Sequence, residues 1–218
     1  MRVGERWESA IRPLRVGGAV LGLLLFTLAV SPRGAGPATG GAAPIDNLTG
    51  QFLVATDELR DPRFIRTLVY VIRHGDAGAM GLVVNRPVAS GPIVEVLKQL
   101  RLDTSGIQGD IRVYYGGPVE PGLGFILHTT DYSISNTVPI SGSIALTADP
   151  AVLRDIGRGA GPRRSLFAMG YAGWSPGQLE GEIAAGTWEI VPADDTLLFD
   201  AADDTKWERA MARRTLRL

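Results

Sequence analysis

The chain of 218 residues carries 22 basic and 23 acidic side chains, so it lacks the broad basic face of a non-specific nucleic-acid binder, and strong nucleic-acid binding is not expected. Hydrophobic residues at 45% and charged residues at 21% exclude a disordered or collagen-like chain, while 28 Gly and 14 Pro announce many turns. The absence of Cys and the presence of only two His exclude disulfides, Cys nucleophiles and the usual four-ligand zinc site, and no cofactor or metal is expected.

Residues 1–44 read as a separate segment, and residues 45–218 as one domain. Arg2, Arg6, Arg12 and Arg15 precede an uncharged run over 16–30, and a Pro/Gly/Ala stretch follows to Pro44, the layout of a signal peptide or membrane anchor. The arginines hold the N-terminus in the cytoplasm, so the expectation is export, or attachment to the cytoplasmic membrane through residues 16–30, with the domain on the periplasmic side. Gly36-Pro37-Ala38 offers a cleavage sequence. The alternative is an uncleaved extension on a cytoplasmic protein.

From Leu48 the periodicity alternates between strand and helix. Residues 51–56 predict a strand, and Asp61-Pro62 a single turn. The β-branched run 67–72 suits a central strand covered on both faces, and Gly75-Asp76-Ala77-Gly78 returns it through 79–84 as a hairpin stopped by Pro87. Ser90 is placed to cap a helix over 91–101 with Ile93, Val96, Leu97 and Leu100 on one face. Strands are expected at 111–115, 123–129 and 143–146, with an irregular loop over 116–122. Asp149-Pro150 opens a helix that buries Val152, Leu153 and Ile156, and residues 166–171 form a strand running into 172–174. Ser175 and Gln178 have capping-box spacing for a helix to about 185, residues 187–191 form a strand, and Asp203 or Asp204 caps a last helix sharing Trp207 and Met211 on one face. The pattern is α+β with antiparallel pairing.

Phe52 to Ala55, Asp61-Pro62-Arg63-Phe64, His74, Gly78 to Pro87, Gly116-Gly117-Pro118-Val119, Gly124 to His128, Gly161-Pro162, Gly170 to Trp174, Gly177 to Glu180, Leu198-Phe199-Asp200 and Trp207 occur in one order. This series resembles that of the bacterial YqgE/AlgH family over nearly all of residues 48–211. The resemblance implies a mixed, mostly antiparallel, coiled and bifurcated β-sheet with a small barrel-like part and surrounding helices. It also implies membership in a family often labelled as transcriptional regulators, with no established catalytic residue. The extension before Phe52 departs from relatives that start near that strand and look cytoplasmic.

His74 and His128 each end a β-run, and imidazole exchanges protons near neutral pH, yet no nucleophile elbow, P-loop or His-Glu-x-x-His sequence accompanies them. Structural hydrogen bonding is therefore expected of both. Six residues are the candidates for ligand binding: Asn85, Arg86, His128, Tyr171, Trp174 and Gln178. Arg86 has the fork that grips a carboxylate or phosphate, although pairing with Glu120 or Asp131 is favoured. Tyr171 to Gln178 runs from a strand into a helix start, where free N–H groups and an aromatic wall could meet a ligand, or where Trp174 could simply fill the core. Arg213, Arg214 and Arg217 complement a helix dipole. The expected function is a non-enzymatic binding or regulatory module with a protein or small-molecule partner. The alternatives are a small-molecule hydrolase or transferase using His74 or His128, and a transcriptional regulator.

Overall fold

The computed structural model describes residues 47–214; the apolar run 16–30, the linker to Pro44 and Arg217 lie outside the described residues. Ten strands are formed among the described residues: β1 (Gln51–Ala55), β2 (Leu68–Gly75), β3 (Gly78–Val83), β4 (Pro87–Pro92), β5 (Asp110–Tyr115), β6 (Val119–Thr129), β7 (Thr137–Ser141), β8 (Ile144–Thr147), β9 (Ser165–Trp174) and β10 (Trp188–Pro192). The helices are α1 (Ile93–Gln99), α2 (Ala151–Gly157), α3 (Gln178–Ala184), α4 (Asp195–Leu198) and α5 (Asp203–Met211). The strands join in the order β10-β1-β2-β3-β9-β6-β8-β7, with β5 also on β9 and β4 on β5. Among the described residues only β5 with β9 is parallel. The result is an α+β fold, a mostly antiparallel sheet curled into a half-barrel with helices around it.

Strand periodicity builds the core directly, because successive side chains point to opposite faces. Phe52, Val54, Leu68, Tyr70, Ile72, Leu82 and Val84 enter one apolar cluster, capped by Trp207 and Met211 of α5. The alternate residues Leu53, Ala55, Val69, Val71, Ala79 and Val83 enter another, which includes Leu179, Trp174 and Trp188. A third cluster packs Ile93, Val96, Leu97, Leu100, Val152 and Leu153 from the helical side against Val113, Ile126 and Phe167.

The sheet divides at β9. Its first half pairs with β5 and β6, and its end, Ala172 to Trp174, pairs with β3. Gly170, at φ +71°, lies between the halves in the left-handed region open mainly to glycine. Before it, Leu166 and Ala168 face the first cluster while Phe167 and Met169 face the helical one. After it, the odd-numbered Tyr171 packs on the first cluster and Ala172 and Trp174 enter the Trp188 cluster. One left-handed residue thus shifts the alternation and lets one strand serve three cores. Gly117 crosses the same point so closely that a Cβ there would lie 2.1 Å from the Tyr171 carbonyl carbon.

Several local expectations are corrected. The hairpin stops before Pro87 as expected, but Pro87 itself begins β4, where a missing N–H is tolerated at the first position of a strand, and Ser90 lies inside that strand opposite Arg112 instead of capping α1. Pro92 precedes α1 without a side-chain cap. The segment 116–122 is partly regular, since β6 begins at Val119 and continues through an irregularity to Gly124. Asp203 does not cap α5; it is the first helical residue, buried and ion-paired with Arg112 and Lys206. Strand β7 and helix α4 had no distinctive periodicity, although Asp194 caps α4 through the Leu197 N–H in the usual way. Asp149 accepts from the Ala151 N–H at the start of α2, and Gly186 ends α3's turn at φ +75°, both in accord with the sequence.

Candidate functional site

The two histidines occupy unlike settings and opposite tautomers. His128 is fully buried near the end of β6, and its Nδ1 must donate to the Thr129 carbonyl, 3.0 Å away. Neutral Nε2 then accepts from the Thr147 hydroxyl at 2.9 Å, Thr147 accepts from the Thr137 hydroxyl, and Thr137 accepts from the Ile134 N–H. Every donor in that chain has one acceptor, so His128 staples β6, β7 and β8 together. Both of its ring nitrogens are engaged within the fold.

His74 ends β2 beside helix α3. Its Nδ1 accepts from the Leu48 N–H at 3.2 Å, which places the neutral ring's proton on Nε2, and Nε2–H donates to Glu180 Oε1 at 2.9 Å. The His74 side chain is 5% exposed and that of Glu180 38%. Asn47, Gly75, Asp76 and Gly177 complete an open depression of about 450 Å³ around this pair. Asp76 is delivered by the β2–β3 turn and Glu180 by the first turn of α3, which Gly177 precedes at φ +76°. The depression therefore offers carboxylate oxygens to solvent above a histidine whose two nitrogens are both engaged, while Asn47 Oδ1 accepts from the Thr49 N–H. Among the described residues no three His, Asp or Glu are grouped to hold a metal ion.

The other candidates are mostly consumed inside the fold. Asn85 accepts from the Leu68 N–H and donates to the Arg66 carbonyl, tying the loop before β2 to the end of β3. Arg86 is internally bonded, but to neither expected carboxylate: its two terminal nitrogens donate to the Arg63 and Ile65 carbonyls, and Asp131 pairs with Arg163. Burial pushes the Arg86 guanidinium below its ordinary pKa. Tyr171 packs edge to face with Phe125, centroids 6.1 Å apart. Trp174 is 7% exposed, sits edge to face with Trp188 at 5.9 Å, and donates to Glu182 Oε2 at 2.9 Å. Trp188 donates to the same oxygen at 2.8 Å, so Glu182 holds both indoles. Gln178 is exposed; its carbonyl takes the Ser175 N–H and its amide reaches Glu182, which forms one arm of the expected capping box while the Ser175 hydroxyl forms none. Arg213 pairs with Asp194.

The pKa displacements also lie away from the depression. Lys206 is fully buried, donates to the Val84 and Leu198 carbonyls and sits 3.0 Å from Asp203 Oδ1; burial pushes it below the usual lysine value. Burial pushes the Tyr114 phenol beneath it up to about 12. This network anchors α5 to β3 and α4 rather than facing a cleft, so its shifted groups are structural. Sequence reasoning missed Asn47, Asp76, Glu180 and Glu182. Glu180 stands 106 residues from His74, and nothing in its own surroundings in the sequence marks the pairing.

Comparison with known proteins gives a consistent result. Residues 52–218 match the family model described as AlgH-like. A UPF0301 protein of Rhodospirillum rubrum is 45% identical over 166 residues, covering 76% of this chain and 86% of that one. Another, from Methylococcus capsulatus, is 44% identical over 170 residues, covering 78% and 93%. The solution structure of the AlgH protein from Pseudomonas aeruginosa matches with a TM-score of 0.67 at 39% identity, over 80% of this chain and 92% of that one. A protein of Corynebacterium diphtheriae, TM-score 0.61 at 19% identity over 82% and 92% of the two chains, shares the fold.

Proposed function

The chain belongs to the AlgH-like family, and from that premise we propose that it is a non-enzymatic binding or regulatory module whose contact for a small polar molecule or protein partner is the His74–Glu180 depression. One observation carries the reading: the depression presents Asn47, Asp76 and Glu180 together at an open surface, whereas the polar groups of Asn85, Arg86 and His128 are spent on holding strands and loops. Concave sites with a few convergent polar groups are the ordinary seats of ligands.

A second reading, a small-molecule hydrolase or transferase, draws on the same pair, since an imidazole hydrogen-bonded to a carboxylate is a general acid–base arrangement. Both ring nitrogens are occupied, which favours the binding role. Direct promoter binding is disfavoured by the net charge of −4 on residues 45–218. In this account residues 16–30 carry the chain to the cytoplasmic membrane and leave the domain on its periplasmic side. Among the described residues no helix is long and apolar enough to cross a membrane, and the 16–30 segment is not among them.

The test is purification of the full chain from its own cells, with mass spectrometry of the small molecules and proteins released on denaturation. A species retained by the wild type and lost from a folded Glu180→Ala variant supports the module. Identical retained species in both proteins would remove the depression from the account. Turnover of a retained molecule that His74→Ala abolishes would favour the enzyme.

A further inference from the structure

We propose that His74 is a proton-operated latch on the strap of residues 47–50, through which residues 1–46 join the domain. His74 fastens this strap twice: its own N–H donates to Thr49 Oγ1 at 3.1 Å, and its Nδ1 accepts the Leu48 N–H at 3.2 Å. Leu48 is 5% exposed and its side chain is buried in the Trp174 cluster, so its amide has little access to water when the ring lets go. The strap is otherwise held by the Gly50 N–H on the Val71 carbonyl and the Gln51 N–H on the Leu48 carbonyl.

Adding a proton to the ring changes the two sides of the imidazole in opposite senses. At Nδ1 an acceptor becomes a donor, and the Leu48 N–H then faces another N–H; at Nε2 the existing hydrogen bond to Glu180 becomes an ion pair and strengthens. The ring therefore stays with α3 and the Leu48 N–H is the partner released, while the bond from the His74 backbone N–H to Thr49 does not respond to the proton. Imidazole is the side chain that ordinarily exchanges a proton near neutral pH, which sets the range to be searched. Two carboxylates stand around the ring: Glu180 from α3 touches it, and Asp76 from the β2–β3 turn lines the same depression. From the strap come only the Asn47 amide, the Leu48 N–H and the Thr49 hydroxyl, and β1 and β3 carry no charged side chain. His128 cannot act the same way, because its acceptor nitrogen faces a threonine hydroxyl able to turn and accept instead. The latch needs no bound molecule and goes beyond the binding role.

Amide hydrogen exchange on the full chain tests it, with rates corrected for the intrinsic pH dependence. Protection of the Leu48 amide should fall by about tenfold between pH 8 and pH 5, the consequence expected of losing one hydrogen bond, while the Val69 and Val71 amides of β2 stay unchanged. The His74→Asn variant keeps an acceptor near the Nδ1 position but no titrating group, and its Leu48 protection should not depend on pH in this range. Glu180→Gln keeps the Nε2–H bond, removes the charge, and should move the loss of protection to lower pH. Equal losses in wild type and His74→Asn would overturn the latch. So would a His74 ring whose NMR signals show no protonation above about pH 5, or one that protonates with Leu48 still protected.

Discussion

Replacing Trp174 with alanine separates a core residue from a pocket wall, and the geometry commits to the core. The indole is 7% exposed, meets Trp188 edge to face at 5.9 Å, approaches the backbone side of Gly81 and donates to Glu182. Truncating a buried tryptophan to alanine costs about 3 to 5 kcal/mol, from lost transfer energy and from the cavity left behind. The aromatic pair adds about 0.5 to 1.5 kcal/mol to that site, part of it already included in the truncation figure. Strand pairing holds both Gly81 on β3 and Trp188 on β10 and so resists collapse into the gap. A loss of about 4 kcal/mol is the central expectation. With a urea slope of about 2 kcal/mol per molar, the unfolding midpoint should move down by about 2 M. Trp174→Phe keeps most of the ring but drops the N–H, and should cost about 1 to 2 kcal/mol for the lost bond to a carboxylate. Equilibrium urea titration followed by far-UV circular dichroism measures both. An alanine variant within about 1 kcal/mol of the wild type would refute the packing argument, because no cavity of that origin is so cheap.

Arg86→Ala should release the loop before β2, which the guanidinium holds by the Arg63 and Ile65 carbonyls, at a cost of about 2 kcal/mol and with faster proteolysis within residues 60–66. Arg86→Lys should not restore resistance, since one ammonium lacks the fork that reaches two carbonyls; full rescue by lysine, measured as the cleavage rate, would contradict this role. A C-terminal alkaline-phosphatase fusion should be active when residues 1–44 are present and inactive when they are removed. Activity that does not depend on residues 1–44, or none with them, would refute the export expectation.

Local chemistry was legible in the sequence wherever neighbours along the chain decide it. The β2–β3 hairpin followed from a β-branched run and a glycine turn, α2 from Asp149-Pro150, and the inward face of α1 from the spacing of Ile93, Val96, Leu97 and Leu100. The motif series resembled the family and the resemblance implied the curled sheet; in the structure its glycines Gly117 and Gly170 stand where backbones cross and no side chain fits. Strand β4 was misread because proline is a poor strand former in isolation, and only pairing with β5 overrides that preference. The expected candidates Arg86 and His128 were read by their chemical capacity, which the fold had already committed to carbonyls and a threonine.

Periodicity, caps and turns settled most of the strands and helices, β4, β7 and α4 apart, since those effects act within a few residues. The meeting of His74 with Leu48 and Glu180 and the change of faces at Gly170 were decided by tertiary structure alone. So was the capture of two indoles by Glu182. Each depends on how distant strands align in register, and register is an outcome of burying all three apolar clusters at once rather than a property of any short segment.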